Sequence, residues 1–376
     1  MKFHAVLFLS IVWLSLHNPT VARAAYVTDV IADGAVSRWD FEEANDRLLA
    51  DRIGSNTGTA FNSRVTKITP ARVGNGYAFE PLNGDCVALP EHAFDDHVQG
   101  AIEAIVKIAG NTETYTVLAA ANGGSSASFT LEIDEGKLAM TSTDARGVRH
   151  TISGSTTLDT EHFYHLVWQM DATLGATLLI NGIPETLVHE NGSPPNVQWW
   201  KEQANETDGY TIGCQASRGA YRSHFRGVID ELAVYPAPLD PSAWYRRAYR
   251  TLGETIVVTS PKAYQVFQRD RTDRSDIFIT GTYLGSPAAI EASWNGGPYA
   301  VIDAHPARGA YAGTLPDQPA GQGALSVRFS DAATAATSVA YVGVGDVFLV
   351  AGQSNAEGRG SNAQTYSHPT LKASMF

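Results

Sequence analysis

The sequence is short of cysteine and of basic residues, and both shortages limit what the protein can do. Only two cysteines, Cys86 and Cys214, occur among 376 residues, and no Cys/His spacing typical of a zinc site is present. Lysine and arginine total 27 against 39 acidic residues, a formal net charge of -12. A chain this acidic is poorly suited to bind nucleic acid or an anionic membrane surface.

Apolar runs long enough to cross a membrane are also missing. The most apolar segment, residues 5–16, follows Lys2 and His4 and precedes the small-x-small sequence Ala22-Arg23-Ala24. This arrangement predicts a signal peptide over residues 1–24 that is cleaved after Ala24, with a retained anchor as the alternative. We therefore expect a secreted, periplasmic or cell-surface protein without membrane contact after cleavage.

Export would place the two cysteines in an oxidising compartment. A disulfide between Cys86 and Cys214 would close a long loop and add roughly 3–5 kcal/mol to the stability in the chain-entropy model. Two buried free thiols are the alternative, because the sequence does not show that the two Cβ atoms meet.

Short β-like runs alternate with polar turns from Tyr26 to about Arg250. Strands at this spacing, in a chain rich in glycine and aromatic residues, are typical of a two-sheet sandwich. The run at 176–180 leads into Asn181-Gly182, a strong hairpin signal. The clearest predicted strands are 35–41, 115–118, 128–133, 165–168 and 176–180.

Segments of this region, among them Trp39-x-Phe41, 76–79 and 225–235, together resemble the laminin-G-like, concanavalin-A-like jelly roll. The resemblance implies a jelly-roll β-sandwich over residues 25–252, a fold that often binds glycans. The segments that carry the resemblance are Trp39-x-Phe41, 50–58, 76–79, 85–90, 164–167, 180–182 and 225–235.

The segment 225–235 contains an irregularity. Apolar positions up to Ile229 share one parity, whereas Leu232 and Val234 fall on the other. A one-residue slip of this kind predicts a β-bulge near Asp230-Glu231, and bulges re-aim side chains beside functional sites. A strand buried on both faces is the alternative explanation.

The chain continues with a short closing helix, predicted over 242–249, and then a second unit over 253–345. We expect this unit to be a small immunoglobulin-like or fibronectin-like β-sandwich that acts as a spacer. Asn295-Gly296-Gly297 is its strongest turn signal. Its clearest predicted strands are 256–258, 277–283, 289–294 and 324–329.

Catalytic chemistry is indicated after residue 345. Residues 347–351 are apolar without alternation, as in a parallel strand covered on both faces. Gly352 ends this run, and Ser354 follows where a helix could direct its N–H groups at an anion. A serine there can attack an ester carbonyl if a base removes its proton.

Residues 346–360 resemble the first block of SGNH hydrolases, and among them the sialate O-acetylesterase-like carbohydrate esterases, which remove acetyl groups from sugars. The resemblance implies that Ser354 is the nucleophile and an oxyanion N–H donor. Gly352, Gln353 and Asn355 correspond to the surrounding block. This chemistry requires no cofactor.

The same family takes further oxyanion donors from later Gly and Asn blocks, and its acid–base pair from an Asp-x-x-His segment near the end of the domain. After Ser354 the sequence offers only His368, and we expect no upstream histidine to replace the missing base. Residues 346–376 are therefore expected to be the first βα segment of a truncated α/β SGNH domain, inactive as an esterase alone. The predicted fold class of the whole chain is mainly β.

Two further sites are predicted by residue type. Trp199 and Trp200 lie in a loop-like stretch and are the candidate platform for a sugar ring, with one expected to stack and the other to be core. The jelly-roll resemblance also implies a structural calcium ion, with Asp40, Asp51 and Asp230 as candidate oxygen donors. Exposed carboxylates without a metal are the alternative.

Two classes of function follow from these observations. The first is the N-terminal part of a secreted carbohydrate esterase, whose jelly roll holds an acetylated glycan or polysaccharide. The second is a non-catalytic secreted protein that binds carbohydrate or mediates adhesion. The sequence leaves open which glycan is bound and whether the chain acts as an enzyme.

Overall fold

The computed structural model describes residues 19–43, 47–61, 68–91, 93–94, 96–122, 124–144, 146–190, 209–307 and 309–348. The chain divides into two compact units, Met1–Gly253 and Glu254–Phe376, and each has its own hydrophobic core.

The described part of the first unit is built mainly from antiparallel strands. It contains the helices α1 (Pro19–Ala32) and α2 (Pro241–Leu252) and a short 3-10 helix (Pro81–Asn83). Its strands are β1 (Ser37–Trp39), β2 (Leu48–Leu49), β3 (Gly58–Ala60), β4 (Ile68–Pro70), β5 (Asn75–Phe79), β6 (Val87–Leu89), β7 (Gly100–Ile108), β8 (Thr114–Ala121), β9 (Ser128–Asp134), β10 (Lys137–Thr143), β11 (Arg149–Thr157), β12 (Tyr164–Asp171), β13 (Gly175–Ile180), β14 (Ile183–Pro184), β15 (Val188–Glu190), β16 (Gly209–Ile212), β17 (Gln215–Ser217), β18 (Ala220–Arg222) and β19 (Gly227–Tyr235).

These strands form two large sheets and one hairpin. Sheet A has the order β14-β13-β12-β7-β19-β5-β4, with β1 paired to β19. Sheet B has the order β15-β11-β10-β9-β8-β16-β6-β3-β2, and β17 and β18 form the separate hairpin. The mainly β sandwich predicted from the sequence is confirmed.

The side chains of strand β7 show that sheet A is covered on both faces. Ile102 and Val106 enter the core between the sheets, whereas Ala101 and Ile105 pack in a second apolar cluster with Tyr26 of α1. Successive side chains of a strand point to opposite faces, so the run is apolar at nearly every position. Helices α1 and α2 cover the outer face of sheet A.

Two local signals read from the sequence are confirmed. Asn181 and Gly182 have φ values of 54° and 77° and join β13 to β14 as a two-residue hairpin turn. The predicted closing helix is α2, and it is longer than expected. It begins after Asp240, whose carboxylate accepts the Ser242 N–H at 2.8 Å, and it has proline in its first turn.

The predicted bulge in β19 is also confirmed. Ile229 pairs with Val106 of β7, but Leu232 pairs with Ala104, so β19 has one extra residue at this point. The strand is buried on both faces as well, so the alternative explanation holds at the same time. The extra residue turns the adjacent Asp230 and Glu231 toward the same, helix-covered face of sheet A.

Helix α1 spans the predicted signal-peptide cleavage point after Ala24. Residues 1–18 lie outside the described residues. Tyr26 and Val30 of α1 are fully buried against sheet A, and Arg23 pairs with Glu42 at 2.9 Å. Cleavage after Ala24 would keep the buried anchors of this helix and remove the Arg23–Glu42 pair.

The second unit is a smaller β-sandwich with Trp294 and Phe329 in its core. Its strands in the described residues are β20 (Thr255–Ser260), β21 (Val266–Gln268), β22 (Arg274–Leu284), β23 (Ile290–Trp294), β24 (Ala300–Asp303), β25 (Ala310–Pro319), β26 (Gly321–Phe329) and β27 (Ala336–Gly345). They form a three-stranded sheet, β20-β22-β25, and a five-stranded sheet, β21-β27-β26-β23-β24. The turn predicted at Asn295-Gly296-Gly297 joins β23 to β24.

The two described residues of the strand predicted over 347–351 are not in a strand, and residues 349–351 lie outside the described residues. Val347 and Phe348 are 56% and 81% exposed and lie outside the strands. The Val347 N–H donates to the side chain of Gln268 at 2.7 Å instead of to a neighbouring strand. A strand can be buried on both faces only where strands or helices cover it, and β27 ends before this point.

Candidate functional site

Several predicted site residues fall beyond the described ranges. The esterase block Gly352, Gln353, Ser354 and Asn355 lies outside the described residues, and so do Trp199 and Trp200. The roles predicted for them stay predictions.

The disulfide between Cys86 and Cys214 is confirmed. The two Cα atoms are 5.5 Å apart across a sequence separation of 128 residues, and both residues are fully buried. Cys86 directly precedes β6, Cys214 lies two residues after the end of β16, and these strands are neighbours in sheet B. The bond therefore closes one end of a strand pair that the ladder already brings together.

The three aspartates predicted to bind calcium already have other partners. Asp40 accepts from Arg52 at 2.9 Å, and Asp51 accepts backbone N–H groups, including that of Arg38 at 3.0 Å. Asp230 is fully buried and accepts the Val73 N–H at 2.8 Å. Within the described residues, no group of three or more acidic, histidine or cysteine side chains is arranged to hold a metal ion. These contacts do not favour calcium at the three aspartates, where metal binding stays an untested expectation.

A buried charged network lies between sheet A and the helices. Glu103 on β7 accepts the hydroxyls of Tyr26 and Tyr235 at 2.9 and 3.0 Å. Its second oxygen lies 2.8 Å from the Arg247 guanidinium and 3.2 Å from Nε2 of His165. Burial alone would raise the pKa of Glu103, but these partners, Arg247 foremost, lower it to about 2. The network is closed to solvent, so we assign it a role in fastening the helices.

The two carboxylates at the bulge behave differently. Burial raises the pKa of Asp230 to about 7, although backbone N–H groups oppose the shift. Burial also raises the pKa of Glu231 to about 8, even with the Arg38 guanidinium 2.5 Å from its carboxylate. Like the Glu103 network, these two carboxylates lie on the helix-covered face of sheet A. Both are buried, so a ligand cannot reach them in this conformation.

One upstream acid–histidine pair was missed by the sequence reasoning. Asp159 and His162 have the Asp-x-x-His spacing, and the ring Nδ1 lies 2.9 Å from the carboxylate. The expectation that no upstream spacing favours a base is therefore wrong for this pair. Asp159 also accepts the backbone N–H groups of Glu161 and His162, which indicates a local turn in which the carboxylate orders an exposed loop.

Sheet B presents polar side chains on the face that points away from the sandwich core. On β9 the odd-numbered residues enter the core, so Ser128, Thr130 and Glu132 project from the outer face. The ladder places Thr141 of β10 opposite Thr130, and Thr151 of β11 opposite Thr141. Three neighbouring strands thus bring their polar side chains together on one surface.

These side chains form a connected group that we call the Glu132 cluster: Thr130, Glu132, Thr141, Arg149 and Thr151. One carboxylate oxygen of Glu132 accepts from Thr141 at 2.6 Å and from Arg149 at 2.8 Å, and the other accepts from Thr130 at 3.1 Å. The hydroxyls of Thr141 and Thr151 are 3.0 Å apart. Regular strands hold every member, so the group is well ordered.

The Glu132 cluster is buried at Glu132 and exposed at Arg149. The side chain of Glu132 is 4% exposed, whereas that of Arg149 is 45% exposed. Burial raises the pKa of Glu132, while the Thr141 hydrogen bond and the Arg149 charge act to lower it. Thr130, Thr141 and Thr151 are also buried, at 1%, 3% and 5% exposure, so the Arg149 guanidinium is the group of the cluster that is open to solvent. An exposed guanidinium that a buried carboxylate holds in place suits a ligand with many hydroxyl groups.

The sequence contained part of this signal. The alternation in 128–133 places Thr130 and Glu132 on the face of the strand opposite to the apolar side chains, and the strand itself was predicted. The partners Thr141 and Arg149 come from other strands, and only the register of the sheet shows that they meet Glu132.

Comparison with protein families agrees with this architecture. Residues 82–243 match the family model described as the concanavalin A-like lectin/glucanases superfamily, Laminin_G_3. The first unit contains a concanavalin A-like jelly-roll domain. Its matched region runs from the 3-10 helix to the start of α2 and includes the whole Glu132 cluster.

The solved structures that are similar to this chain include the following three. Domain 4 of AbnA, a GH43 extracellular arabinanase from Geobacillus stearothermophilus, in complex with arabinotriose, is 19% identical over 57% of this chain and 98% of that domain, with a TM-score of 0.43. The Ruminococcus gnavus IT-sialidase CBM40 bound to alpha2,3 sialyllactose is 18% identical over 38% and 79%, with a TM-score of 0.33. Trypanosoma rangeli sialidase in complex with sialic acid is 14% identical over 58% and 33%, with a TM-score of 0.40.

Two further findings concern curated relatives and membrane spans. The comparison with curated proteins gives no match. Neither helix of the described ranges is long and apolar enough to cross a membrane.

Proposed function

We propose that the jelly-roll domain binds glycans through the outer face of sheet B. The observation that carries the proposal is the Glu132 cluster, where a buried carboxylate is linked to an exposed guanidinium and to three threonine hydroxyls. Sugar hydroxyls both donate and accept hydrogen bonds, so such a mixed set of partners can orient a sugar. The match of residues 82–243 to the model of the concanavalin A-like lectin/glucanases superfamily supports the same function.

The proposal predicts a loss of binding when the cluster is altered. Arg149→Ala removes the open donor, and Glu132→Gln replaces the acceptor that two donors share, so each change should weaken binding about tenfold or more. The measurement is binding of the full chain to an array that contains arabinan, xylan, acetylated xylan and sialylated oligosaccharides.

The matched control for this test is Arg146→Ala, which removes an arginine with an 86% exposed side chain from a nearby turn. We expect this control to bind like the wild-type protein. Wild-type affinity in both cluster variants would exclude the Glu132 cluster as the binding site.

We further infer that the jelly-roll domain belongs to a secreted serine carbohydrate esterase, which would make the ligand an acetylated glycan. Support comes from the sequence block 346–360, and the disulfide and residues 1–24 fit an exported protein. A non-catalytic binding or adhesion protein is the competing function. Ester hydrolysis that depends on Ser354 would favour the esterase over the binding protein.

We expect the 376-residue chain to hydrolyse p-nitrophenyl acetate no faster than its Ser354→Ala variant. A serine without a base has the reactivity of an ordinary alcohol, and losing the triad costs roughly 10³–10⁶-fold in rate. Hydrolysis that depends on Ser354 would contradict this expectation. His162→Asn would then test whether the Asp159–His162 pair supplies the base.

A further inference from the structure

An exposed aromatic pair borders the same face of the jelly-roll domain. The rings of Phe61 and Tyr221 are in contact, with centroids 4.7 Å apart and planes inclined by 42°. The two residues are 38% and 48% exposed. The large aromatic residues of the core, such as Trp39 and Trp168, are fully buried. Core packing therefore does not explain why these two rings are in contact while both are exposed to solvent.

The disulfide holds the two segments that carry these rings. The N–H of Phe61 donates to the carbonyl of Cys86 at 3.0 Å, and Cys86 is bonded to Cys214. Cys214 leads directly into the β17–β18 hairpin, where Tyr221 pairs with Ala216. A covalent bond and a short hairpin thus fix the relative position of the two rings and reduce the entropy lost when a ligand binds.

The hairpin also connects the rings to the candidate binding face. The Gln215 amide donates to the hydroxyl of Ser128 at 2.7 Å, and the Arg218 guanidinium donates to the hydroxyl of Ser126 at 2.9 Å. Ser128 projects from β9 on the same side as Glu132. In sheet B, β16 lies two strands from β9 and β3 lies four, so the rings are roughly 10–20 Å from the Glu132 cluster.

We propose that Phe61 and Tyr221 form a stacking platform for a sugar ring of the glycan that the Glu132 cluster binds. The inference rests on the proposed function and adds a second subsite to it. Aromatic faces pack against the apolar face of a sugar ring, and polar groups at the edge fix its orientation. The exposed Arg47 supplies such a group, because its guanidinium donates to the Phe61 carbonyl at 3.1 Å.

The test is affinity electrophoresis of the full chain through gels that contain arabinan, xylan or acetylated xylan. The double variant Phe61→Ala/Tyr221→Ala should bind about tenfold to a hundredfold more weakly than the wild-type protein. Tyr221→Phe keeps the ring and should bind like the wild type. Phe278→Ala removes a 62% exposed ring from the second unit and serves as the matched control.

The outcomes separate this inference from the proposed function. If Arg149→Ala and Glu132→Gln lose binding while Phe61→Ala/Tyr221→Ala retains it, the platform is wrong and the proposed function stands. If the aromatic variant loses binding and the cluster variants retain it, the platform stands and the Glu132 cluster is wrong. A wild-type protein that binds none of the polysaccharides in the gels or on the array overturns both. Circular dichroism and the oxidised state of Cys86 and Cys214 confirm that each variant is folded.

Discussion

Replacing Glu103 by glutamine should lower the free energy of unfolding of the jelly-roll domain by about 3 kcal/mol at neutral pH. The change keeps the size of the side chain but leaves Arg247, which is fully buried, with Asp33 as its remaining carboxylate partner at 2.7 Å. Removing one partner of a buried ion pair is costly, because water cannot reach the remaining charge to take the place of the lost partner.

The pH dependence of this loss of stability shows whether it comes from the negative charge of Glu103 or from the fit of its side chain. The pKa of Glu103 is lowered to about 2, so its stabilisation is complete above the ordinary glutamate pKa and is lost as the pH falls through about 2. The difference between wild type and Glu103→Gln should therefore be constant near neutral pH. It should shrink in acid as Glu103 takes up a proton.

The measurement is unfolding in urea, monitored by hydrogen exchange of peptides from the first unit. Peptides from this unit report its unfolding separately from that of the second unit. Glu161→Gln removes an exposed acid and is the control, with an expected change of no more than about 0.5 kcal/mol. A loss below about 1 kcal/mol at neutral pH, or a difference that persists in strong acid, would show that the Glu103 network is not a charged anchor.

Removing the disulfide should cost a similar amount through a different mechanism. The double variant Cys86→Ala/Cys214→Ala should lose about 3–5 kcal/mol of stability, because the bond closes a loop across 128 residues and restricts the unfolded chain. Alanine is the matched replacement, since serine would add an unpaired hydroxyl at two fully buried positions. Denaturant unfolding of the wild-type and variant proteins measures the difference.

A second experiment checks the same bond directly. The bond leaves no free thiol, so the protein should resist thiol alkylation even when it is unfolded in urea without reductant. Because both cysteines are buried, the native protein should also resist mild reductant. Thiols that react in the native protein, or a double variant as stable as the wild type, would contradict the structural role of the disulfide.

Local features of the fold could be predicted because their causes are local. The Asn181-Gly182 turn needs only two residues that tolerate positive φ, and the β-bulge at Asp230-Glu231 is visible as a change of parity in a single strand. Helix α2 could be located for the same reason. Its first residue, Pro241, and the helix-capping Asp240 are adjacent in the sequence.

The charged and polar groups that define the sites could not be predicted in this way. Glu103 depends on His165 and Arg247, which lie 62 and 144 positions further along the chain and reach it only after the sheet and helices are assembled. Glu132 has the same dependence on Arg149. The exposure of Val347 has a related cause, because burial of a strand is decided by its neighbours and not by its own composition.

The central claim is that the outer face of sheet B is the glycan-binding surface of the jelly-roll domain. Hydrogen exchange of the full chain, with and without a saturating concentration of the glycan that binds best on the array, tests this claim most directly. Protection should rise in peptides that cover β9, β10, β11 and the β17–β18 hairpin. Protection confined to sheet A or to the second unit, with those peptides unchanged, would contradict it.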